Sequence, residues 1–388
     1  MNEGQILFSL LRHTVCGEQL DSTLKDRITP EVLDTLYRLA APHDLLHLIS
    51  PGLTALGVSK DDSYFQLFHK YNRQAVFRYA RLSLDYEQIC ASLEKAGIPY
   101  IPLKGSVLRE WYPQAWMRTS SDIDILVRHE DLDTAASVLV ENLGFSRGNE
   151  AHHDISMVSP TGTHLELHFT VENVEETNTE QAILDRVWEH AIPTAPGVCR
   201  RNLTDAMFYF YHITHMAKHL LVAECGIRPF LDLWILNHRI PHDRKAREAL
   251  LAQGGMTQFA RAAEALAEYW FSGENADDLC LRLETFALQV GTEQAERSII
   301  AVSQQQSGSK LRFLLDKLFP SFSRMAAYYP ILRKQPWLLP VYAVHRWFRL
   351  LFTGDRNRAV EILKTNAALD AEEVQTMADL MQQLGFHK

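Results

Sequence analysis

Hydrophobic and polar positions change rhythm twice along this chain. From the amino terminus to about Lys95 apolar residues recur at helical spacing, and SYFQLFHKYNRQAVFRYARLSLDYEQICASLEKAG predicts one long or broken helix ending at Gly97. The period then drops to two. Ile98 to Leu103 predicts a short apolar strand, followed by a turn at Lys104, Gly105 and Ser106. In DIDILV, alternation puts Asp122 and Asp124 on one strand face and Ile123 and Ile125 on the other. RHEDLDTAASVLVENLG predicts a helix stopped by Gly144. HHDISMV and HLELHFTV both read as strands, with the turn formers SPTGT between them. The second strand presents Leu165, Leu167, Phe169 and Val171 on one face and His164, Glu166 and His168 on the other. From about Thr179 the helical period returns. The pattern therefore predicts an α+β unit over 96–178, between a helical region at 1–95 and another at 179–388. GVCRRN and SQQQSGSK are the loop or linker candidates, and no internal repeat is visible.

The polar face of that unit carries the chemistry. Two carboxylates held side by side on a strand are costly to bury without a cation, so Asp122 and Asp124 point to an oxygen-liganded metal. Magnesium is the expected ion, with manganese as the alternative. Glu166, on a separate strand, is the third carboxylate. Asp-x-Asp by itself also occurs as the plain polar face of an edge strand; the turn and Glu166 are what favour a site. Gly105 lets the backbone approach a phosphate, Ser106 adds a hydroxyl, Lys104 a positive charge, and the start of a helix there favours anions. Arg118, four residues before Asp122, could grip a phosphate in a bidentate contact or simply pair with Asp122 or Glu110. Together these groups predict metal-assisted handling of a nucleoside triphosphate.

The segments KGS, YP, RTSSDIDILV and LELH resemble the polymerase-beta nucleotidyltransferase superfamily, and within it the bacterial branch called uncharacterised nucleotidyltransferase. The strong resemblance covers about 98–171 and weakens into HITHMAKHL and GIRPFLDLW. It implies a small mixed sheet with helices, Gly105 and Ser106 at the triphosphate, metal on Asp122 and Asp124, and Glu166 as the third acid. Fifteen residues separate Ser106 from Asp122, longer than the minimal pattern, and a lysine precedes the glycine. The implied reaction is attack of an acceptor hydroxyl, on a small molecule or a protein, on the α-phosphate of an NTP with loss of pyrophosphate. Two rivals stand beside it. One is a non-catalytic nucleotide- or partner-binding module of the same fold; the other is a metal-dependent phosphohydrolase using His152, His153, Asp154 and His168.

Composition narrows the partners. With 388 residues and a net charge of −9 the chain can bury a large core, and the charge disfavours nucleic acid as acceptor. No 18-residue apolar run and no signal-peptide pattern is present, so a cytoplasmic location is expected. Five scattered cysteines without a C-x-x-C pair argue against a zinc ribbon or a disulfide framework and read as reduced thiols. Lys310 to Lys364 holds eleven Lys/Arg against Asp316, Asp355 and Glu361, and LLPVYAVHRWFRLLF (338–352) predicts an amphipathic basic helix. Its stripe is expected to dock on the helical region, with contact to a membrane surface as the alternative. In HITHMAKHLL, His212, His215 and His219 share a helical face beside Lys218, which suits a cleft wall contacting substrate or phosphates, or plain packing. His164 and His168 are further candidate substrate contacts. Arg228 and Asp232 are expected to form an ion pair within their helix.

Overall fold

The computed structural model describes residues 3–59, 61–150, 153–171, 179–329, 331–352 and 355–386. Its centre is a five-stranded mixed sheet. β1 (Tyr100–Pro102), β2 (Asp122–Val127), β3 (Ser146–Glu150), β4 (Asp154–Val158) and β5 (His164–His168) lie in the order β1-β2-β5-β4-β3. β2 and β5 are parallel, and every other neighbouring pair is antiparallel. The parallel register sets Asp124 beside Glu166 and Ile125 beside Leu167. Residues paired in register point the same way, so the two acids share one face and the aliphatics the other.

The aliphatic face explains why the register holds. Ile123, Ile125, Leu165 and Leu167 are fully buried, against Leu82, Ile89 and Leu93 of the Ser63–Ala96 helix and Ala135 and Leu139 of the Leu132–Leu143 helix. Each such side chain contributes about 1.5–3 kcal/mol on burial. A one-residue slip would send all four to the polar face. The long helix is delimited as the sequence predicts: the Asp62 carboxylate accepts from the Tyr64 and Phe65 N–H groups, and Gly97 ends it at φ +70°. The Leu132–Leu143 helix ends at Gly144 with φ +69°.

The opposite face meets a second, larger core. Ile101, Leu103 and Leu126 join one cluster with buried residues of the Asp205–Leu221 and Ile227–His238 helices and of the amino-terminal helices. Phe8 stacks on Trp270 at 4.9 Å, so the two helical regions close on each other across the sheet unit. The carboxylates thus lie where the sheet meets the helices.

Several expectations need correction. The first strand is confined to Tyr100–Pro102. The region after Thr179 is not wholly helical: β6 (Ala191–Pro193) and β7 (Arg201–Leu203) form a hairpin, and the Tyr100 N–H donates to the Cys199 carbonyl. GVCRRN is therefore part loop and part strand, fixed by the Glu94 carboxylate, which accepts from the Cys199 and Arg200 N–H groups. Ser303 to Ser307 belong to the Glu293–Ser307 helix, and the chain breaks only at Gly308 (φ +80°) and Ser309. Buried Ile300, Ala301 and Val302 on that helix outweigh the weak preference of its Ser/Gln run. All five cysteines are free thiols. Among the described residues no helix is long and apolar enough to cross a membrane.

Candidate active site

Asp124 is the buried centre of the site. On its Oδ1 converge Lys104 Nζ at 2.9 Å and His168 Nε2 at 3.0 Å, and His168 Nε2 also lies 3.3 Å from Glu166 Oε2. Burial opposes the Asp124 charge, but the hydrogen bond from His168 and the charge of Lys104 outweigh it and hold its carboxyl well below the usual range. Burial also opposes a charged His168; its hydrogen bonds to Asp124 and Glu166 nevertheless push it up to about 9. Asp122 moves the other way. Burial, then the nearby charges of Asp124 and Glu166, raise its pKa. The three acids crowd one another, and Lys104 and His168 offset part of the repulsion.

The turn before β2 is shaped by its neighbours. Lys104 takes φ +43° and ψ −121°, a conformation that favours glycine, whereas Gly105 does not have a positive φ. The conformational demand thus falls one residue earlier than expected. Gly105 suits the turn for another reason: a Cβ there would sit 3.3 Å from Ser120 Cβ, close enough that Ser120 would have to shift. Arg109, buried, ties the turn to the strand entry, donating from Nε to the Gly105 carbonyl and from Nη2 to Ser120 Oγ, both at 2.7 Å. Sequence reading missed Arg109; its only signal was its place one helical turn after Gly105.

These groups open into a cavity of about 390 Å³. One wall holds Lys104, Gly105, Asp122, Asp124, Glu166 and His168, with Ser120 and Ser121 beside them. His215, Lys218, His219 and Arg228 line the same cavity. His215 and His219 are in edge contact at 4.4 Å, and His219 Nδ1 lies 3.3 Å from Glu224. The structure therefore brings three of the four predicted groups of HITHMAKHLL to the acids. His212 is the exception: it is buried and its Nε2 bonds the Pro229 carbonyl at 3.0 Å. Ser106 is buried, and the serines along the cavity are Ser120 and Ser121. His164 is exposed beside Asp122 and does not line the cavity. His153, which does, stacks on His168 at 5.6 Å; His152 lies outside the described residues.

Arg118 reaches the cavity but is held from behind. Its Nε donates to both oxygens of Asp232 at 2.7 and 2.9 Å, and its Nη1 to the Thr119 carbonyl. The Tyr112 hydroxyl donates to the same Asp232 carboxylate at 2.7 Å. Asp232 is thus taken by Arg118, and the ion pair expected between Arg228 and Asp232 is replaced: Arg228 pairs with Asp44 at 2.9 Å, on the carboxylate that also accepts from Thr119. Both arginines join the β2 entry to the Ile227–His238 helix or its neighbours, a link invisible in linear sequence. Glu110, offered as another partner of Arg118, lies instead near Arg200.

Ligand atoms of Asp124, Glu166 and His168 all lie within 4.8 Å of one another, and the carboxylate oxygens of that cluster suit a divalent cation. A sequence model of the family described as uncharacterised nucleotidyltransferase matches residues 30–272. No curated protein and no solved structure matches the chain.

Proposed function

The chain belongs to the uncharacterised nucleotidyltransferase family, and on that premise we propose that it is a magnesium-dependent enzyme transferring a nucleoside monophosphate from an NTP to an acceptor hydroxyl. The observation that carries this reading is the in-register pairing of Asp124 with Glu166 in a cavity that Lys218 and Arg228 also line. Asp122, Asp124 and Glu166 would hold the metal, with His168 beside them. Bound there, magnesium or manganese supplies charge neutralisation at the α-phosphate and at the leaving pyrophosphate.

The chain's own residues do the rest. Gly105, with no side chain, and the Lys104 ammonium receive the triphosphate, and Ser106 lies in the helical turn that starts there. Lys218 and Arg118 supply positive charge along it, and His215 and His219 supply ring nitrogens for hydrogen bonds. Glu166 takes the proton of the acceptor hydroxyl as the new oxygen–phosphorus bond forms and the bond to pyrophosphate breaks. A small metabolite or a protein side chain suits the acceptor, since the chain's negative charge works against RNA.

The test is incubation of the protein and magnesium with each labelled NTP and a fractionated cell extract. A labelled product formed together with pyrophosphate, and lost in Asp124→Asn, is expected. NTP breakdown that needs no acceptor and survives Asp124→Asn would overturn the proposal.

A further inference from the structure

The long Ser63–Ala96 helix has two faces of different character. Phe68, Ala75, Leu82 and Ile89, each seven residues from the next, are buried and hold the helix to the rest of the molecule. Lys70, Phe77 and Leu84 form a second line at the same spacing, and it looks outward: Phe77 is 72% and Leu84 54% exposed. At 3.6 residues per turn, Arg73 falls to one side of this line and Arg78 to the other, with Arg81 between Phe77 and Leu84. Lys70, Arg73, Gln74, Phe77, Arg78 and Arg81 accordingly line one open surface cavity.

This face is basic in an acidic chain. From Ser63 to Leu84 there are four Lys/Arg and no Asp or Glu, so the stretch carries +4 and, by difference from the net −9, the remainder carries −13. The arginines buried elsewhere have partners: Arg109 bonds Ser120, Arg118 pairs with Asp232 and Arg247 with Asp205. Among the described residues Lys70, Arg73, Arg78 and Arg81 make no salt bridge and no side-chain hydrogen bond, and Arg81 Nε is buried without an acceptor. The face also adjoins the active site. Arg78 shares a small cavity with Asp44, Asp44 pairs with Arg228 at 2.9 Å, and Arg228 lines the cavity of the acids.

We propose that this face docks an acidic amphipathic helix of another protein, whose apolar stripe covers Phe77 and Leu84 and whose carboxylates meet the cations on both flanks. Charge and shape decide the occupant. Lys70 to Arg81 span about 16 Å at 1.5 Å per residue, and a helix with acids only along that length confines its charge to the basic strip. A nucleic acid carries its phosphates past the strip and onto the −13 remainder, and Leu84 offers no ring on which a base could stack. A second copy docking through the same face would set cations against cations.

The probe is a fluorescein-labelled helical peptide with a stripe of Leu between two rows of Glu, titrated with the full chain and followed by fluorescence anisotropy. Binding that weakens with added salt, and that is lost when every Glu of the peptide is replaced by Gln, is expected. Arg73→Gln with Arg78→Gln should weaken binding about tenfold, and Phe77→Ala with Leu84→Ala about a hundredfold. The exposure of these four side chains predicts unchanged melting in both double variants. No binding of the Glu peptide, equal affinity for the Gln peptide, or wild-type affinity in either double variant overturns the proposal. So does tighter binding of a labelled oligouridylate that Arg73→Gln with Arg78→Gln abolishes, which would assign the face to nucleic acid.

Discussion

Lys104 carries a backbone conformation that costs stability, and two substitutions isolate that cost. Its φ of +43° with ψ −121° lies where a β-carbon clashes with the backbone, a strain of about 1–3 kcal/mol. Lys104→Ala and Lys104→Gly both remove the ammonium that meets Asp124 at 2.9 Å, so the lost ion pair cancels when the two are compared. Only Lys104→Gly removes the β-carbon. Against that relief stands the extra freedom of glycine in the unfolded chain, about 0.4–1 kcal/mol. Lys104→Gly should therefore exceed Lys104→Ala in stability by about 1 kcal/mol, the difference of those two ranges near their centres. Urea unfolding followed by far-UV circular dichroism, in chelator, reads that difference. Transferase activity should fall equally in both, because neither retains the amine. An alanine variant as stable as the glycine variant, or more so, would refute the strain assigned to the positive φ at Lys104.

Other outcomes follow from the same site. Asp122→Asn and Asp124→Asn should each lower transfer by about a thousandfold, yet shift metal-free stability in opposite directions. Asp122→Asn relieves repulsion from Asp124 and Glu166 and should raise the melting temperature; Asp124→Asn strips Lys104 and His168 of their anion and should cost about 3 kcal/mol. Arg118→Ala should cost about 3–5 kcal/mol in unfolding experiments, because it leaves the Asp232 carboxylate buried and uncompensated; full stability with only weaker NTP binding would mean that Arg118 grips phosphate. Burial lowers the pKa of His43 from 6.5 to about 4, so the unfolded state binds the extra proton between those values and stability falls as pH falls through that window. At about pH 5 the loss is about 2 kcal/mol, and His43→Asn, measured by urea unfolding at neutral and acid pH, should remove that share of the slope.

What the sequence determined by itself is what depends on neighbours along the chain. Period-two alternation put Asp122 and Asp124 on one face and Ile123 and Ile125 on the other; Asp62, Gly97 and Gly144 bounded helices through local capping; and the strand pair around SPTGT followed from its turn formers. What only the tertiary structure decided are the contacts between distant segments. The parallel register of β2 and β5, which brings Glu166 to Asp124, depends on the packing of both strands against two helices. Arg118 and Arg228 take partners other than those that linear proximity suggested, because Asp232 and Asp44 approach them from other elements. The positive φ sits on Lys104 instead of Gly105 because Ser120 and Arg109 fix where that turn lies. Side-chain alternation and capping are short-range and are written in consecutive residues; charge pairing and backbone strain are set by whatever the folded chain brings alongside.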